Sequence, residues 1–367
     1  MRCLLPLCRQ EQSRVKIAPR TRRLGKVNLP TVTLSHGGGG KAMKDLIDDV
    51  FVSAFDNPLL APLDDQARIT LATLAAHGDR LAMTSDSFVV DPLIFPGGDI
   101  GKLAVCGTVN DLAVGGAIPL YLSCAAIIEE GLPLDLLRRL AGSMAEAARQ
   151  AGVLVVCGDT KVVQRGACDK LFLSTTGIGV IRAGIELGAH LAQPGDAVLV
   201  NGVLGDHGAA ILAARGDLML DAPIDSDCAP LHGLVAALLA AAPGTRFMRD
   251  ATRGGIATVL NEIAEAADCG IEIDEQSLPL REEVKGFCEI LGLDPLYLAN
   301  EGKLVAIVPW DAADCALAAM RADPLGKGAC LIGRITDRTA GQVVMRTVLG
   351  GRRIVDMLVG DQLPRIC

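Results

Sequence analysis

Aromatic side chains are scarce in this chain of 367 residues, at 3%, with a single Trp and two Tyr. Its core must therefore be assembled from Ala, Val, Leu and Ile. Long apolar runs are missing too. The longest, Leu234 to Ala242, falls far short of the ~20 residues that a bilayer-spanning helix needs, so no membrane span is expected. None of the twelve cysteines belongs to a C-x-x-C pair, which argues against a zinc site or a small disulfide-stapled scaffold. Cysteines scattered on apolar stretches, such as Cys157 after Val153-Leu154-Val155-Val156, read as small core residues of a protein from a reducing cytosol. A signal-peptide core is lacking as well, because Leu4 to Leu7 is short and broken by Pro6.

Charge is unevenly distributed. The net charge is -8, yet residues 1–30 carry Arg2, Arg9, Arg14, Lys16, Arg20, Arg22, Arg23 and Lys26 against Glu11 alone. The remainder is thus more acidic than the total suggests, which excludes a broad nucleic-acid surface. The basic leader, residues 1–31, is expected to be disordered and outside the fold.

Length gives two domains as a soft prior. After the leader comes Ser35-His36-Gly37-Gly38-Gly39-Gly40-Lys41. Four glycines with free N–H groups before a helix through Met43 to Phe51 suit an anion-covering loop as well as a flexible linker; the spacing is not that of a Walker A motif. Leu81 to Thr84 reads as a strand leading to Asp86, Ile100 to Val114 as a helix with Asn110 and Asp111 near its end. Pro133 opens an amphipathic helix closed by Gly152. Val153 to Val156 is a buried-type strand running into Gly158-Asp159-Thr160-Lys161. Asp86, Asp111 and Asp159 thus fall at element ends. Each alone is an ordinary turn or cap residue; together, with Lys161 close by, they also suit Mg²⁺ and a phosphate.

The pattern restarts after Pro194-Gly195-Asp196. A strand over Ala197 to Val200 precedes the turn Gly205-Asp206-His207-Gly208. The segment Arg249-Asp250-Ala251-Thr252-Arg253 precedes a helix from Ile256 to Ala267, and Asn300-Glu301-Gly302-Lys303 precedes the strand Leu304 to Val308. The chain ends Leu363-Pro364-Arg365-Ile366-Cys367, with Gly350-Gly351 as a swivel behind it. A terminal thiol is either a frayed end or a carrier on an extended arm. β/α alternation in both halves gives two α+β domains.

The motifs around Gly37–Lys41, Ser85-Asp86-Ser87-Phe88, the run Pro96 to Ala113, Gly158–Lys161, Gly205–Gly208, Arg253–Gly255, Ala299–Lys303 and the final Pro364–Cys367 together resemble the HypE family of hydrogenase-maturation proteins. The likeness runs from about residue 32 to the end; the long run and the tail are its most specific parts. Ala251 stands where the family motif carries proline. The resemblance implies a two-domain fold like that of aminoimidazole ribonucleotide synthetase (PurM-like). Its parts would be an N-terminal ATP/Mg-binding domain (32–183), a C-terminal domain (184–349) and a mobile tail (350–367), with dimerisation through N-terminal strands. It further implies a cytoplasmic homodimer served by a HypF carbamoyltransferase and a HypC–HypD complex.

The implied reaction is ATP-dependent dehydration of an S-carbamoyl group on Cys367 to a thiocyanate. In that scheme Cys367, Lys161 and Glu301 are the catalytic groups, with Glu301 as the proton acceptor. Gly37, Gly38, Gly39, Gly40, Lys41, Asp86, Asn110, Asp111, Asp159, Thr160 and Asp206 would bind nucleotide. Asp86, Asp111, Asp159 and Asp250 would hold Mg²⁺. Two rival functions share much of this pattern: a small-molecule phosphotransferase of the selenophosphate synthetase type, which has no use for a terminal thiol, and a nucleotide-gated scaffold without chemistry.

Overall fold

The computed structural model describes residues 24–216, 224–360 and 365–367. The first half is organised by a four-stranded sheet in the order Arg80–Phe88, Leu171–Ile181, Ala117–Glu129, Leu154–Val163. The first three strands run antiparallel, and the last lies parallel to Ala117–Glu129. A parallel pair needs a long crossover, supplied by the helix Leu134–Ala151. That helix forms as its periodicity predicts. Leu134, Leu137, Leu140, Ala141, Met144, Ala145 and Ala148 are buried on one face, and Gly152 ends it at φ 68°, in the left-handed conformation glycine adopts at low cost.

The helix Ile100–Val114 is different in kind. Asp99 caps it by accepting the Gly101 and Lys102 N–H groups, and thirteen of its fifteen residues are buried. A helix apolar all round belongs in an interior, and this one lies between the first sheet and the second domain.

The second half is built on a seven-stranded sheet. Its order is Arg352–Ile354, Val343–Arg346, Gly270–Asp274, Cys330–Thr336, Ala197–Val200, Leu304–Val308, Phe247–Asp250. Pairing is antiparallel except between Val343–Arg346 and Gly270–Asp274. Every residue of Leu304–Val308 is buried, and alternate residues feed different cores. Val305 and Ile307 join one cluster, while Leu304, Ala306 and Val308 join the other, as period-two side chains of a central strand must when helices cover both faces.

The two-domain α+β expectation holds, with three local corrections. Residues 24–31 are part of the fold rather than of a disordered leader. Val27 is buried, its N–H donates to Asp49, and Thr31 bridges to Pro133; the expectation for residues 1–23 lies outside the described residues. Gly350-Gly351 is a hairpin turn, closed by Thr347 N–H to the Gly351 carbonyl, so residues 352–354 are an edge strand rather than the start of a free arm. The strands Ala117–Glu129 and Gly270–Asp274 had no separate signal in the sequence.

Two glycines test the helix packing. A Cβ on Gly101 would lie 2.3 Å from the Leu140 carbonyl, whereas one on Gly142 meets nothing. Gly101→Ala should destabilise by ~1–3 kcal/mol through overpacking, and Gly142→Ala should stabilise by ~0.5–1 kcal/mol through helix propensity. Urea denaturation of the two variants measures both, and equal shifts would contradict this packing.

Candidate active site

The sheets bring Asp86, Asp111 and Asp250 into one cleft between the domains, of about 420 Å³, with Ser85, Arg249 and Arg253 also in its wall. Of the three aspartates expected at element ends, Asp111 lies in the last turn of its helix, whereas Asp86 and Asp159 lie inside strands. Asp86 lies within Arg80–Phe88, Asp111 within Ile100–Val114, and Asp250 closes Phe247–Asp250. Thr84 Oγ1 donates to Asp111 Oδ2 at 2.8 Å, and the Arg249 guanidinium is paired with Glu262 at 2.6 Å. Burial, then the Asp111 charge, raises the Asp250 carboxyl to about 7. Burial and the neighbouring Asp86 likewise raise Asp111.

Glu301 adds a fourth carboxyl. It is buried, and its Oε1 has no hydrogen-bond partner. Burial first, then Asp250, Asp227 and Asp86, hold it well above the usual carboxylate range. The loop that carries it is fixed by Asn300, which donates through Nδ2 to the Ala251 carbonyl at 2.8 Å and accepts from Gly205 N–H at 2.7 Å. Ala251 in turn donates its own N–H to the Lys303 carbonyl at 2.9 Å, a bond that a proline there cannot make.

The terminal residues are docked in this region. Val89 N–H donates to the Cys367 carbonyl and Asp91 N–H to the Arg365 carbonyl, so the end of the chain runs beside residues 89–91. Ile366 is buried in the first domain's core, with Cys367 packed against it. The charges acting on the Cys367 thiol are those of Glu301, Arg253, Asp86 and Asp250; burial, then Glu301, pushes it far above its ordinary pKa. The expected Pro364 constraint lies outside the described residues.

The remaining candidates fall elsewhere. Gly39, Gly40, Asp159 and Thr160 line a second cavity, of about 560 Å³, walled by Met43, Phe51, Phe55 and Val155. Gly39 has φ +77° and open space around it, whereas Gly37 packs against Val162; Gly38 follows at the turn before the helix that starts at Lys41. Lys41 pairs with Asp45 on the surface. Asp159 pairs with Lys161 at 2.8 Å, both well exposed, and that cation lowers its pKa. Asp86, Thr175, Cys124 and Gly158 form one row across the sheet. Three strand spacings of ~4.8 Å put Asp159 on the order of 14 Å from Asp86. Within one chain, Asp159 therefore does not join the cluster of Asp86, Asp111 and Asp250.

Two expected nucleotide ligands have other work. Asn110 donates through Nδ2 to the Ala229 and Glu301 carbonyls and accepts from Leu231 N–H, so its amide joins the domains. Asp206 is buried and ion-paired with Arg281 at 3.1 Å, in the wall of neither cavity. Among the described residues, no three His, Cys, Asp or Glu side chains are arranged to hold a metal ion, and no helix is long and apolar enough to cross a membrane. Arg249 and Arg253, adjoining Asp250 in the sequence, line the cleft, whereas nothing in the sequence gave a role to Ser226, Asp227 or His207.

A row of half-buried carboxyls at the seam of two α+β domains, backed by buried Glu301, defines a class, and family models for AIR synthase related proteins match its N-terminal domain at residues 63–181 and its C-terminal domain at 193–346. Carbamoyl dehydratase HypE of Rhodobacter capsulatus is 64% identical over 336 residues, covering 92% of this chain and 98% of that protein. A crystal structure of the hydrogenase maturation protein HypE in complex with ATP superposes with TM-score 0.87 at 50% identity, covering 92% of this chain and all of that one. HypE in a HypE–HypF complex gives 0.74 at 46% identity, covering 87% and 100%. The chain belongs to the HypE family of AIR synthase related proteins.

The Asp250 carboxyl sets a pH signature. Its folded value of about 7 exceeds the ~3.9 of an unfolded aspartate, so the native state holds the proton more tightly. Stability from this group is full below the unfolded value and is lost as pH rises to about 7. Asp250→Asn should therefore gain on the wild type between pH 5 and pH 8, by on the order of 2–4 kcal/mol. Thermal unfolding at the two pH values checks this; a stability difference independent of pH would contradict it.

Proposed function

We propose that this protein is an ATP-dependent carbamoyl dehydratase that converts an S-carbamoyl group on its own Cys367 to a thiocyanate, the precursor of a cyanide ligand for a hydrogenase iron centre. The observation that carries this reading is the docked terminus. A thiol on the last residue sits under the influence of Glu301, Arg253, Asp86 and Asp250, at the seam where the nucleotide chemistry is expected. A phosphotransferase acting on a small molecule would have no use for that placement, and a scaffold would have no use for the buried carboxyls.

The chemistry follows from the groups present. Hydroxide leaves poorly, so the carbamoyl oxygen must first be phosphorylated. Phosphate then departs as an N–H proton is removed, leaving Cys367–S–C≡N. Glu301 is the proposed proton acceptor. Burial first, then neighbouring carboxylates, raise its pKa, and offsetting the charges of Asp250 and Asp86 lowers it. Lys161 and the N–H groups of Gly37 to Gly40 and Lys41 are proposed to face phosphate. The oxygen donors of Asp86, Asp111 and Asp250 fit Mg²⁺ in chemistry though not in their present spacing, and the raised pKa values of Asp111 and Asp250 mark a site that a dication would relieve. Bound there, Mg²⁺ would supply charge neutralisation for the transferred phosphoryl group.

The thiol must be loaded elsewhere. Half-buried and within reach of the Glu301 charge, it is held as the protonated, non-nucleophilic form, and thiolate is the reactive species. Carbamoylation by a HypF partner is therefore assigned to a released terminus, and transfer of the cyano group to a HypC–HypD partner likewise. Lys161 and Asp159 lie on the far edge of the first sheet from Asp86. Leu81, Met83, Ile127 and Leu154 are exposed on that sheet, and an apolar face of this kind suits a second copy. A homodimer through it would set the Lys161 edge of one subunit near its partner.

Met83→Glu should weaken such a dimer by tenfold or more, the equivalent of ~1.4 kcal/mol; sedimentation velocity reads it, and an unchanged oligomer would remove this face from the interface. The dehydratase reading is tested on the carbamoylated protein by mass spectrometry of the C-terminal peptide after ATP is added. Loss of one water from that peptide is expected, with deletion of Cys367 abolishing it and leaving ATP affinity nearly intact. A phosphorylated free product would instead favour the phosphotransferase, and no covalent change the scaffold.

A further inference from the structure

His207, in the Gly205–Gly208 turn, has no part in the chemistry above, yet it is fully buried at the first turn of the helix Asp206–Arg215. Its ring is held on three sides. Nδ1 lies 2.8 Å from Ser226 Oγ, Phe95 meets the ring edge-on at 5.5 Å, and Nε2 lies 2.8 Å from the Ile366 carbonyl oxygen. A carbonyl only accepts, so Nε2 carries the hydrogen and Nδ1 accepts from the Ser226 hydroxyl. Ser226 Oγ also accepts the Cys228 N–H at 3.1 Å, which fixes the hydroxyl. Burial keeps the imidazole neutral, consistent with one donor and one acceptor nitrogen.

The main-chain oxygens of the other two residues of the terminal tripeptide are satisfied as well. That of Arg365 accepts from Asp91 N–H at 3.1 Å and from Arg215 Nη2 at 2.9 Å; that of Cys367 accepts from Val89 N–H at 3.2 Å. The Ile366 side chain is buried, and the Arg365 guanidinium pairs with Asp169. None of these bonds uses the sulfur. The receptor reads the main chain, Ile366 and the Arg365 side chain, so its grip does not depend on the group the sulfur carries.

We propose that His207 is a positioning residue that seats the terminal cysteine in the cleft, through the single hydrogen bond from its Nε2 to the Ile366 carbonyl. Its consequence for dehydration rests on the function proposed above. The competing possibility is a core histidine whose bond to the terminus is incidental. In that case its loss would lower stability without freeing the thiol.

The experiment is site-resolved labelling of the full chain with N-ethylmaleimide, read by peptide mass spectrometry, with no ATP and no carbamoyl group present. Exposed Cys315 serves as the reference, and buried Cys106 and Cys228 report on the fold. Loss of one hydrogen bond worth ~1.4 kcal/mol corresponds to tenfold, so His207→Ala should raise Cys367 labelling about tenfold with Cys106 and Cys228 still protected. His207→Gln, whose amide can donate to the same carbonyl, should restore protection. An unchanged Cys367 rate in His207→Ala, with the fold intact, overturns the proposal. Should His207→Ala expose Cys106 and Cys228, Ile366→Ser decides, because it alters the terminus and not the receptor; an unchanged Cys367 rate there also overturns it. A parallel single-turnover assay of the carbamoylated chain should show a matching drop in dehydration rate, rescued by His207→Gln. Faster labelling with no dehydration in any variant, the wild type included, would reject the dehydratase reading while upholding the seating role.

Discussion

Asp111, Asp250 and Glu301 are kept largely out of water beside one another, and the rest of the molecule is arranged around that cost. A buried carboxylate without a matching cation is strongly disfavoured, so in this arrangement Asp250 and Glu301 hold their protons to unusually high pH. The penalty is borne by an otherwise ordinary scaffold. The helix Ile100–Val114 is buried on all sides, and Asn110 ties it to the second domain through three backbone bonds. Lys303 offsets Asp227 in a buried pair at 2.9 Å. A site that is unfavourable by itself and favourable once a cation and phosphate enter is a binding site with its driving force already stored.

Much of the fold could be read from sequence where local signals were strong. Pro133, the apolar face from Leu134 to Ala148 and Gly152 state the limits of one helix within a residue. The strand Ala117–Glu129 gave no such signal. Its inner positions are buried under helices while Tyr121 and Ile127 face outward, and its partners come from far along the chain. Pairing of that kind is set by tertiary contacts rather than by propensity.

The site was legible by residue type but not by position. Asp86, Asp111 and Asp250 come together because Gly107 lets the helix approach the strand, a Cβ there lying 3.0 Å from the Phe88 ring and 3.7 Å from Asp86. Asp159 shares their chemistry in sequence, yet four strands place it on the opposite edge. Asn110 and Asp206 look equally suited to a ligand. Which polar side chain is consumed by the backbone depends on neighbours more than 70 residues away, such as Ala229 and Glu301 for Asn110 and Arg281 for Asp206. Nothing local announces that.

In the function proposed above, a thiol on a movable segment resolves an electrostatic conflict. A carrier must be a thiolate when it takes up its cargo, and a carboxyl-rich, desolvated cleft is the worst place to form one. Moving the sulfur between two environments resolves this, provided the docked state makes no demand on the sulfur itself. The structure meets that condition. Among the described residues, the terminus is seated by main-chain oxygens of residues 365–367 and by the Arg365–Asp169 pair, and Ile366 supplies the apolar anchor. Burial, then Glu301, disfavours a bare thiolate there, with Arg253 acting the other way, whereas an uncharged sulfur carries no such cost. A docked site of this kind favours an uncharged sulfur over a thiolate, and in the function proposed above that separates dehydration at the cleft from loading outside it.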